Sequence, residues 1–254
     1  MKFTGAAALT LLAMPAFAAA PPQTGPVPQP RPQAQEPQAP AKPLEKPEET
    51  GPLKGTVTTP PQERVIAAEP DAEHARCLDD LKALGAVFTE KPRVDDGAGC
   101  GIDKPLSLST LPNGVKLQPE GVMTCKAALA LARWVKESVL PAAATAFPGQ
   151  RLQGAENASA YVCRLRNNAS KGKISEHARG NAVDIAAFTL SGGERVDIRP
   201  RKEDSTLSGA FQRAVTATAC LYFTTVLDPE SDAAHERHLH LDVLERKGGY
   251  RYCR

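Results

Sequence analysis

The chain has 254 residues, with 31 lysines and arginines against 29 aspartates and glutamates, so its net charge is only +2. This balance provides no basic field of the kind that attracts a phosphate backbone, which argues against a nucleic-acid-binding protein. The six cysteines are widely spaced and form no C-x-x-C pair. Their even number and spacing favour disulfides over a metal site made of thiolates.

The first 20 residues have the layout of a secretory signal peptide. Lys2 gives the segment a positive start, an apolar run covers residues 6–13, and small residues allow cleavage after Ala18 or Ala20. No later stretch approaches the roughly 18 uninterrupted apolar residues that a membrane span needs. We therefore expect a periplasmic or secreted protein without a membrane span in its mature form.

Residues 21–62 are rich in Pro, Gln, Glu, Lys and Thr and contain almost no large apolar side chains. Such a segment buries too little surface to offset the entropy of ordering, so we expect a disordered Pro-rich linker. Residues 63–254 are long enough for one core, and we predict a single domain there. All six cysteines lie in this domain: Cys77, Cys100, Cys125, Cys163, Cys220 and Cys253. Their pairing stays open among 15 connectivities.

Apolar periodicity and turn residues predict the elements of the domain in chain order. Helices are expected at residues 72–84, ended by Gly85, at residues 124–139, ended by Pro141, and at residues 207–219. Strands are expected at residues 86–89, 159–166, 183–188, 221–227 and 238–243. The Gly- and Asp-rich residues 95–105 are interpreted as a loop held by a disulfide. Together these elements predict an α+β domain with a small antiparallel sheet flanked by helices and stabilised by disulfides.

Four of the five histidines fall in two short segments, residues 175–184 and 235–240. The second segment enters the last predicted strand, where side chains alternate between the two faces of a sheet. His238 and His240 are therefore expected to project the same way, with Asp242 next along that face. Two imidazoles on one face of a rigid strand make half of a metal site.

The other half is expected from His177 and Asp184, because Gly180 between them gives the backbone the freedom to turn. Two histidines and one carboxylate around zinc leave a fourth position for water, which is the open arrangement of a catalytic site. Zinc in such a site lowers the pKa of its bound water to about 7 and polarises a carbonyl. A histidine beside the metal can take the water's proton, and His238 fits that role if His240 is a ligand. We therefore expect the sheet to carry a zinc cleft.

These motifs resemble a known group of proteins. The spacing S-x-H-x-x-G-x-A-x-D over residues 175–184, followed by H-x-H at residues 238–240, resembles the zinc metallopeptidases that include D-Ala-D-Ala carboxypeptidases, lysostaphin-type endopeptidases and the hedgehog amino-terminal domain. H-x-x-H-x-H over residues 235–240 is similar to the arrangement in penicillin-insensitive murein endopeptidases. The whole region 77–253, with its Pro-rich leader, resembles the bacterial extensin-like carboxy-terminal domain family.

The resemblance implies roles for individual residues. By its motif positions, His177, Asp184 and His240 are the metal ligands and His238 is the catalytic base. In the carboxypeptidase branch a carboxylate stands three residues before the last ligand. Arg237 occupies that position here, which favours a histidine as the base.

Five more residues are assigned supporting roles. Related enzymes place an arginine before the first motif to hold a substrate carboxylate, and Arg164 and Arg166 stand there on one face of a predicted strand. A solvated strand edge is the alternative for this pair. Ser175 is expected to organise the loop rather than to touch substrate; the alternative is a substrate-binding role, since related enzymes use this serine near the substrate. His235 and Asp242 are expected to orient ligands from outside the metal's own contacts.

The resemblance and the export signal together imply a zinc-dependent peptidoglycan peptidase. The expected reaction is hydrolysis of peptide bonds in stem peptides or crosslinks, as an endopeptidase with Zn2+ as its cofactor and peptidoglycan as its partner. Two alternatives stay open. One is a D-alanyl-D-alanine carboxypeptidase, and the other is a non-catalytic cell-wall-binding protein of the same fold.

Overall fold

The computed structural model describes residues 53–200, 202 and 204–254. The expected signal peptide, residues 1–20, and the first part of the expected linker, residues 21–52, lie outside these described residues. The α-helices are α1 (Asp71–Ala83), α2 (Cys125–Trp134), α3 (Leu140–Ala146) and α4 (Leu207–Ala219). In the part of the chain that the structure describes, none of the helices is long and apolar enough to cross a membrane.

The strands are short, and the longest have nine residues. They are β1 (Thr56–Val57), β2 (Val87–Glu90), β3 (Val94–Gly97), β4 (Cys100–Ile102), β5 (Pro105–Thr110), β6 (Lys116–Thr124), β7 (Leu152–Ser159), β8 (Lys171–Gly172), β9 (Ala182–Leu190), β10 (Arg195–Asp197), β11 (Thr225–Leu227), β12 (Leu239–Asp242) and β13 (Tyr252–Cys253). Within the described residues, nine of them form one sheet in the order β13, β11, β12, β9, β7, β6, β5, β2, with β10 paired to β9.

The α+β class is confirmed, but the expectation of a small antiparallel sheet is wrong. Two neighbouring pairs, β6 with β7 and β11 with β13, are parallel. The sheet is also larger than expected because β5, β6, β10, β13 and all but the last residue of β7 were not predicted from the sequence. Pro119 stands inside β6, and a proline within a run of residues argues against a strand.

The main core joins apolar side chains of the four described α-helices to one face of the large sheet. Along β9 and β12, alternate residues belong to this core: Val183, Ile185, Leu239 and Leu241. Because side chains alternate along a strand, Asp184 and His240 project from the opposite face of the sheet. The core therefore determines which face carries the predicted ligands.

The second predicted helix continues past its expected end. A π-helical turn, Val135–Val139, follows α2, and α3 then includes Pro141. The backbone N–H of Leu140 donates to the carbonyl of Val135 across the wider turn. The prediction that Pro141 ends the helix is wrong because proline is tolerated in the first turn of a helical segment, where its missing N–H is not needed.

Most other predicted elements are present. The first and last helices are confirmed as α1 and α4, and Gly85 follows α1 with a φ of 79°. The strands expected at residues 86–89, 183–188 and 238–243 correspond to β2, β9 and β12. Residues 95–105, expected to be a loop, contain most of the β3–β4 hairpin.

Two predicted strands are largely wrong. A strand was expected at residues 159–166, but β7 ends at Ser159. The chain then leaves the sheet and is joined to the β3–β4 hairpin through Cys163. The strand expected at residues 221–227 begins only at Thr225, since a turn joins it to α4. Both segments are rich in residues with high β-propensity, but these side chains are buried by packing without their backbone joining the sheet.

All six cysteines are described, and they pair as Cys77–Cys125, Cys100–Cys163 and Cys220–Cys253. The first bond joins α1 to the start of α2, the second joins the β3–β4 hairpin to the segment after β7, and the third joins the end of α4 to β13. The sequence separations are 48, 63 and 33 residues. Loops of this length give about 4 kcal/mol of loop-closure entropy each.

Residues 53–62, expected to belong to the linker, pack against the domain. β1 pairs in parallel with β8, and Thr59 is buried, where its hydroxyl oxygen accepts a hydrogen bond from the backbone N–H of Ile174. Arg64 donates to the carbonyls of Thr59 and Val57. The packed chain therefore begins before the expected boundary at residue 63, because backbone pairing does not need the apolar side chains on which that boundary was based.

Trp134 lies at the centre of the core, where its ring meets Phe188 and Phe223 and its indole N–H donates to the carbonyl of Val215 over 3.0 Å. Trp134→Phe removes the donor and leaves a cavity, so we expect the free energy of unfolding to fall by about 1–3 kcal/mol. Denaturant unfolding followed by circular dichroism measures the change. The control is Leu221→Ala, since that side chain is 70% exposed. Equal effects of the two substitutions would contradict this central role.

Candidate metal centre

Three buried side chains converge on the face of the sheet that is turned away from the core. Asp184 on β9 and His240 on β12 are directly opposite each other in the antiparallel ladder, and His177 comes from a 3-10 turn just before β9. His177 Nε2 lies 3.0 Å from His240 Nδ1 and 3.2 Å from Asp184 Oδ1, and the last two atoms are 3.0 Å apart. These three atoms form a compact triangle, which we call the ligand triangle.

The ligand triangle has dimensions that suit a small metal ion. Four ligands placed tetrahedrally at about 2.0–2.1 Å from zinc lie about 3.3–3.4 Å from one another. The sides of the triangle are only a few tenths of an ångström shorter. Its atoms are two imidazole nitrogens and one carboxylate oxygen, which are donors that zinc accepts. The residues therefore fit the metal that the sequence predicted.

The local backbone fixes the orientation of His177. Its Nδ1 lies 2.7 Å from the carbonyl oxygen of Ala160, which can only accept, so Nδ1 carries the hydrogen and Nε2 is free to face the triangle. The Ser175 hydroxyl oxygen accepts a hydrogen bond from the backbone N–H of His177 over 3.3 Å. Ser175 thus makes the loop contact expected of it, and it also borders the pocket described below.

Gly180 ends the 3-10 turn in the left-handed conformation, with a φ of 67°. Its N–H donates to the carbonyl of His177, which closes the turn. A Cβ at this position would lie 2.7 Å from Ile102 Cγ1, closer than real side chains approach. The expectation that Gly180 permits the turn between His177 and Asp184 is confirmed, and close packing is a second reason for glycine.

His240 is oriented from behind by Asp242. The two side chains meet at His240 Nε2 and Asp242 Oδ2, 3.1 Å apart, so Nδ1 is the nitrogen that faces the triangle. Burial lowers the pKa of His240, but hydrogen bonds with Asp184 and Asp242 outweigh burial and raise it to about 9. The contact expected of Asp242 is therefore present.

Asp184 keeps its negative charge although it is buried among the three histidines. Burial would raise the pKa of Asp184, but the nearby His177 and His238 outweigh this effect and hold the pKa well below its usual range. The carboxylate is therefore ionised although it is buried. Burial also lowers the pKa of His177, against the attraction of Asp184, so a neutral imidazole stands beside this carboxylate.

His238 stands beside the ligand triangle and just before β12. Its Nε2 lies 3.7 Å from Asp184 Oδ2, the carboxylate oxygen that is not part of the triangle. Its side chain is 20% exposed, and burial lowers its pKa, against the attraction of Asp184. The imidazole is thus neutral and partly accessible, as a general base next to a metal has to be.

His235 supports this region through its ring. Its Nδ1 lies 2.7 Å from Asp232 Oδ1, and its ring centre lies 5.2 Å from that of His238 and 5.7 Å from that of His240. Asp232, which the sequence analysis missed, holds the ring in place. His235 therefore touches the cluster by packing against two other imidazoles.

A pocket of about 160 Å³ opens next to the ligand triangle and is bordered by three arginines. Arg164 Nη2 lies 3.7 Å from Asp184 Oδ2, and Arg166 Nη2 lies 3.8 Å from Glu176 Oε1. The expectation that Arg164 and Arg166 share one face of a strand is wrong, because the chain has left the sheet after β7. Both nevertheless border the pocket, and guanidinium groups there favour a ligand that carries a carboxylate.

The third arginine, Arg246, and two other pocket residues, Thr225 and Tyr252, were missed by the sequence analysis. They come from β11, β13 and the chain after β12. No local motif marks them, because they reach the pocket only through the pairing of β11 with β12 and β13. Knowledge of that pairing was needed to find them.

Fold and site together define an α+β protein with three disulfides, in which a buried His, Asp and His cluster is built on two paired strands. Residues 75–254 match the family model described as "Extensin-like protein C-terminus". The chain belongs to this extensin-like family, as the resemblance of region 77–253 indicated. No curated protein matches the chain at a significant level. The resemblance to the metallopeptidase group stays a prediction.

Gly180→Ala is expected to destabilise the protein through both the left-handed backbone and the clash with Ile102. The matched control is Gly149→Ala, since Gly149 has a φ of 83° and its new methyl group would lie more than 4 Å from every other described side chain and from the backbone beyond its neighbours. Left-handed strain alone costs about 1–2 kcal/mol, and overpacking adds about 1–3 kcal/mol at Gly180. Denaturant unfolding of both variants measures the difference. Equal losses in the two variants would show that Ile102 does not constrain the turn.

Proposed function

We propose that this protein is an exported zinc peptidase that hydrolyses peptide bonds in peptidoglycan, as an endopeptidase of stem peptides or crosslinks. The observation that carries the proposal is the ligand triangle of His177, Asp184 and His240 with His238 beside it. A structural zinc site has four protein ligands, whereas three ligands and a neighbouring base are typical of hydrolysis. The three disulfides support an oxidising compartment, which agrees with the expected signal peptide.

Each residue of the site would have its own role in such a reaction. His177 Nε2, Asp184 Oδ1 and His240 Nδ1 would hold the zinc. Zinc bound there would supply Lewis-acid polarisation of a peptide carbonyl and acidify a water. His238 would take the proton of the attacking water at Nε2 and return it to the leaving amine, since this nitrogen faces the cluster and is neutral.

The pocket supports a peptide substrate with a free carboxylate. Arg164 and Arg166 border it next to the ligand triangle, and stem peptides of peptidoglycan carry such groups. The same two arginines favour the second candidate function, a D-alanyl-D-alanine carboxypeptidase. That enzyme has to bind the terminal carboxylate one residue from the cleaved bond.

Metal analysis tests the site itself. We expect wild-type protein to bind one zinc per chain, and Asp184→Ala to lose affinity by more than the roughly 10–100-fold that removal of an outer contact costs. Elemental analysis after equilibrium dialysis against buffered zinc measures this. The control is Asp79→Ala, because the Asp79 side chain is 78% exposed on α1. Undiminished metal in Asp184→Ala would refute the assigned ligands.

The reaction is tested with purified crosslinked muropeptides. We expect wild-type protein to convert dimers into monomers, and His238→Ala to keep its zinc while the rate falls by about 10²–10⁴-fold. Chromatography of the products measures the rate and identifies the bond. Loss of terminal D-alanine without loss of dimers would establish the carboxypeptidase instead.

A third result of the same experiment would overturn the enzyme proposal. Zinc-loaded protein that binds wall material and releases no peptide, with His238→Ala equal to wild type, would establish a non-catalytic binding protein. Zinc content and wall binding are measured on the same samples. A misfolded preparation is thereby distinguished from an inactive one.

A further inference from the structure

We propose that residues 53–66 form a strap that positions residues 164–178, the segment that carries Arg164, Arg166 and His177, and that Thr59 is the positioning residue of this strap. Residues 164–178 are called the site loop below. The inference rests on the proposed function only in giving these side chains a substrate and a metal to bind. The strap precedes residues 75–254, the region that matches the family model. The site is thus completed from outside that region.

The site loop is supported by a core of its own. Apart from the main core, five buried side chains form a second cluster: Cys100, Cys163, Leu165, Ile174 and Ala178. Four of these five are direct neighbours in sequence of Arg164, Ser175 or His177. A shift in this small cluster therefore moves the side chains that border the pocket.

The strap completes this second cluster. Leu53 and Val57 are partly buried and pack against it. Further along the strap, Arg64 lies so close to Gly99, the residue before Cys100, that a Cβ on this glycine would be 2.8 Å from Arg64 Cα. A cluster of five buried residues is small, so it depends on such cover to exclude water.

Backbone hydrogen bonds join the strap to the site loop. The N–H of Thr56 donates to the carbonyl of Ser170 over 2.8 Å, and the N–H of Thr58 donates to the carbonyl of Gly172 over 2.7 Å. These bonds belong to the parallel pairing of β1 with β8. The strap is therefore held along the loop and not at a single point.

Thr59 extends this contact to the residue before the first histidine motif. Its side chain is buried, and its hydroxyl oxygen accepts a hydrogen bond from the backbone N–H of Ile174 over 2.9 Å. Ile174 pairs in turn with Leu165, and the N–H of Ser175 donates to the carbonyl of Arg164 over 3.1 Å. Thr59 thus holds one arm of a short hairpin whose other arm carries the two pocket arginines.

Two separate cores therefore support the two halves of the site. The main core places Asp184 and His240 through β9 and β12. His177 and the pocket arginines depend on the second cluster and on the strap. Loss of the Thr59 contact leaves a buried N–H without its acceptor, which destabilises the loop half while β9 and β12 keep their register.

Hydrogen exchange, followed by NMR on the full, metal-free chain, tests the strap. Thr59→Val has nearly the same size and lacks the acceptor, so we expect the amide of Ile174 to exchange at least about 10-fold faster. Other amides of the site loop are expected to follow it, while those of β9 and β12 stay unchanged. Thr59→Ser keeps the acceptor and the protection. The matched control is Thr58→Val, because Thr58 is exposed and binds through its backbone.

Zinc affinity and kinetics test what the loop does for the site. In Thr59→Val we expect zinc affinity, measured by competition with a chelating dye, to fall by about 10-fold, because His177 is displaced. At saturating zinc, KM for crosslinked muropeptides is expected to rise by about 10-fold with a smaller change in kcat. The pocket arginines move with the loop, whereas His238 lies outside it. Thr59→Ser and Thr58→Val are expected to match wild type.

The outcomes separate this inference from the proposed function. If Ile174 stays protected in Thr59→Val, or if exchange rises equally in β9 and β12, Thr59 does not position the loop and the inference is wrong. It is also wrong if the loop exchanges faster while zinc affinity and KM equal those of wild type. If wild type binds no zinc and cleaves no muropeptide, the proposed function fails, and the exchange comparison alone decides the inference.

A second variant covers the case in which Thr59→Val does not fold. In Gly55→Ala the new methyl group would lie 2.7 Å from the carbonyl oxygen of Ser170, so the strap is pushed away from the loop while Thr59 is kept. Gly85→Ala is its control, since Gly85 also has a positive φ and a Cβ there meets open space. Exchange of the site loop that is equal in these two variants contradicts the strap.

Discussion

The candidate site depends on one cross-strand pair, Asp184 on β9 opposite His240 on β12. Their neighbours along both strands are core residues, so the alternation of the strands places the two ligands together on the other face. A slip of one residue in either strand would turn a ligand into the core and an apolar side chain out of it. Apolar packing on one face of the sheet therefore fixes the register that brings Asp184 and His240 together on the other face.

His177 reaches this pair from a loop, and the loop is held from several sides. The carbonyl of Ala160 fixes the ring, and Gly180 lies close against Ile102 of β4. The disulfide between Cys100 and Cys163 ties the same hairpin to the segment that carries Ala160. The chain before residue 63 adds a further contact, because Thr59 binds the backbone at Ile174. Parts of the molecule that are remote in sequence thus share the task of placing one imidazole.

Local patterns were enough to predict α4, β9 and the two histidine segments, because periodicity and turn residues act over a few positions. The same reasoning failed at Pro141, because the π-helical turn before it places this proline in the first turn of α3, where its missing N–H is tolerated. It also failed at residues 159–166, where the chain leaves the sheet and is joined by a disulfide to the β3–β4 hairpin. Thr225 and Arg246 had no local signal at all. They border the same pocket as His240 only because β11 pairs with β12. No short stretch of the sequence indicates that these two strands pair.

Burying this cluster costs free energy of folding, which argues that the cluster serves a function. Asp184 is buried and ionised, and each buried ion costs several kcal/mol in desolvation unless partners compensate it. Two imidazoles compensate it. Nδ1 of His177 is held by a carbonyl, so its Nε2 accepts, while the raised pKa of His240 keeps a hydrogen on its Nδ1, 3.0 Å from Asp184 Oδ1. The orientation imposed from outside, through Ala160 on one side and Asp242 on the other, brings two imidazole nitrogens and one carboxylate oxygen within 3.2 Å of one another, which is the arrangement that the proposed zinc site would use.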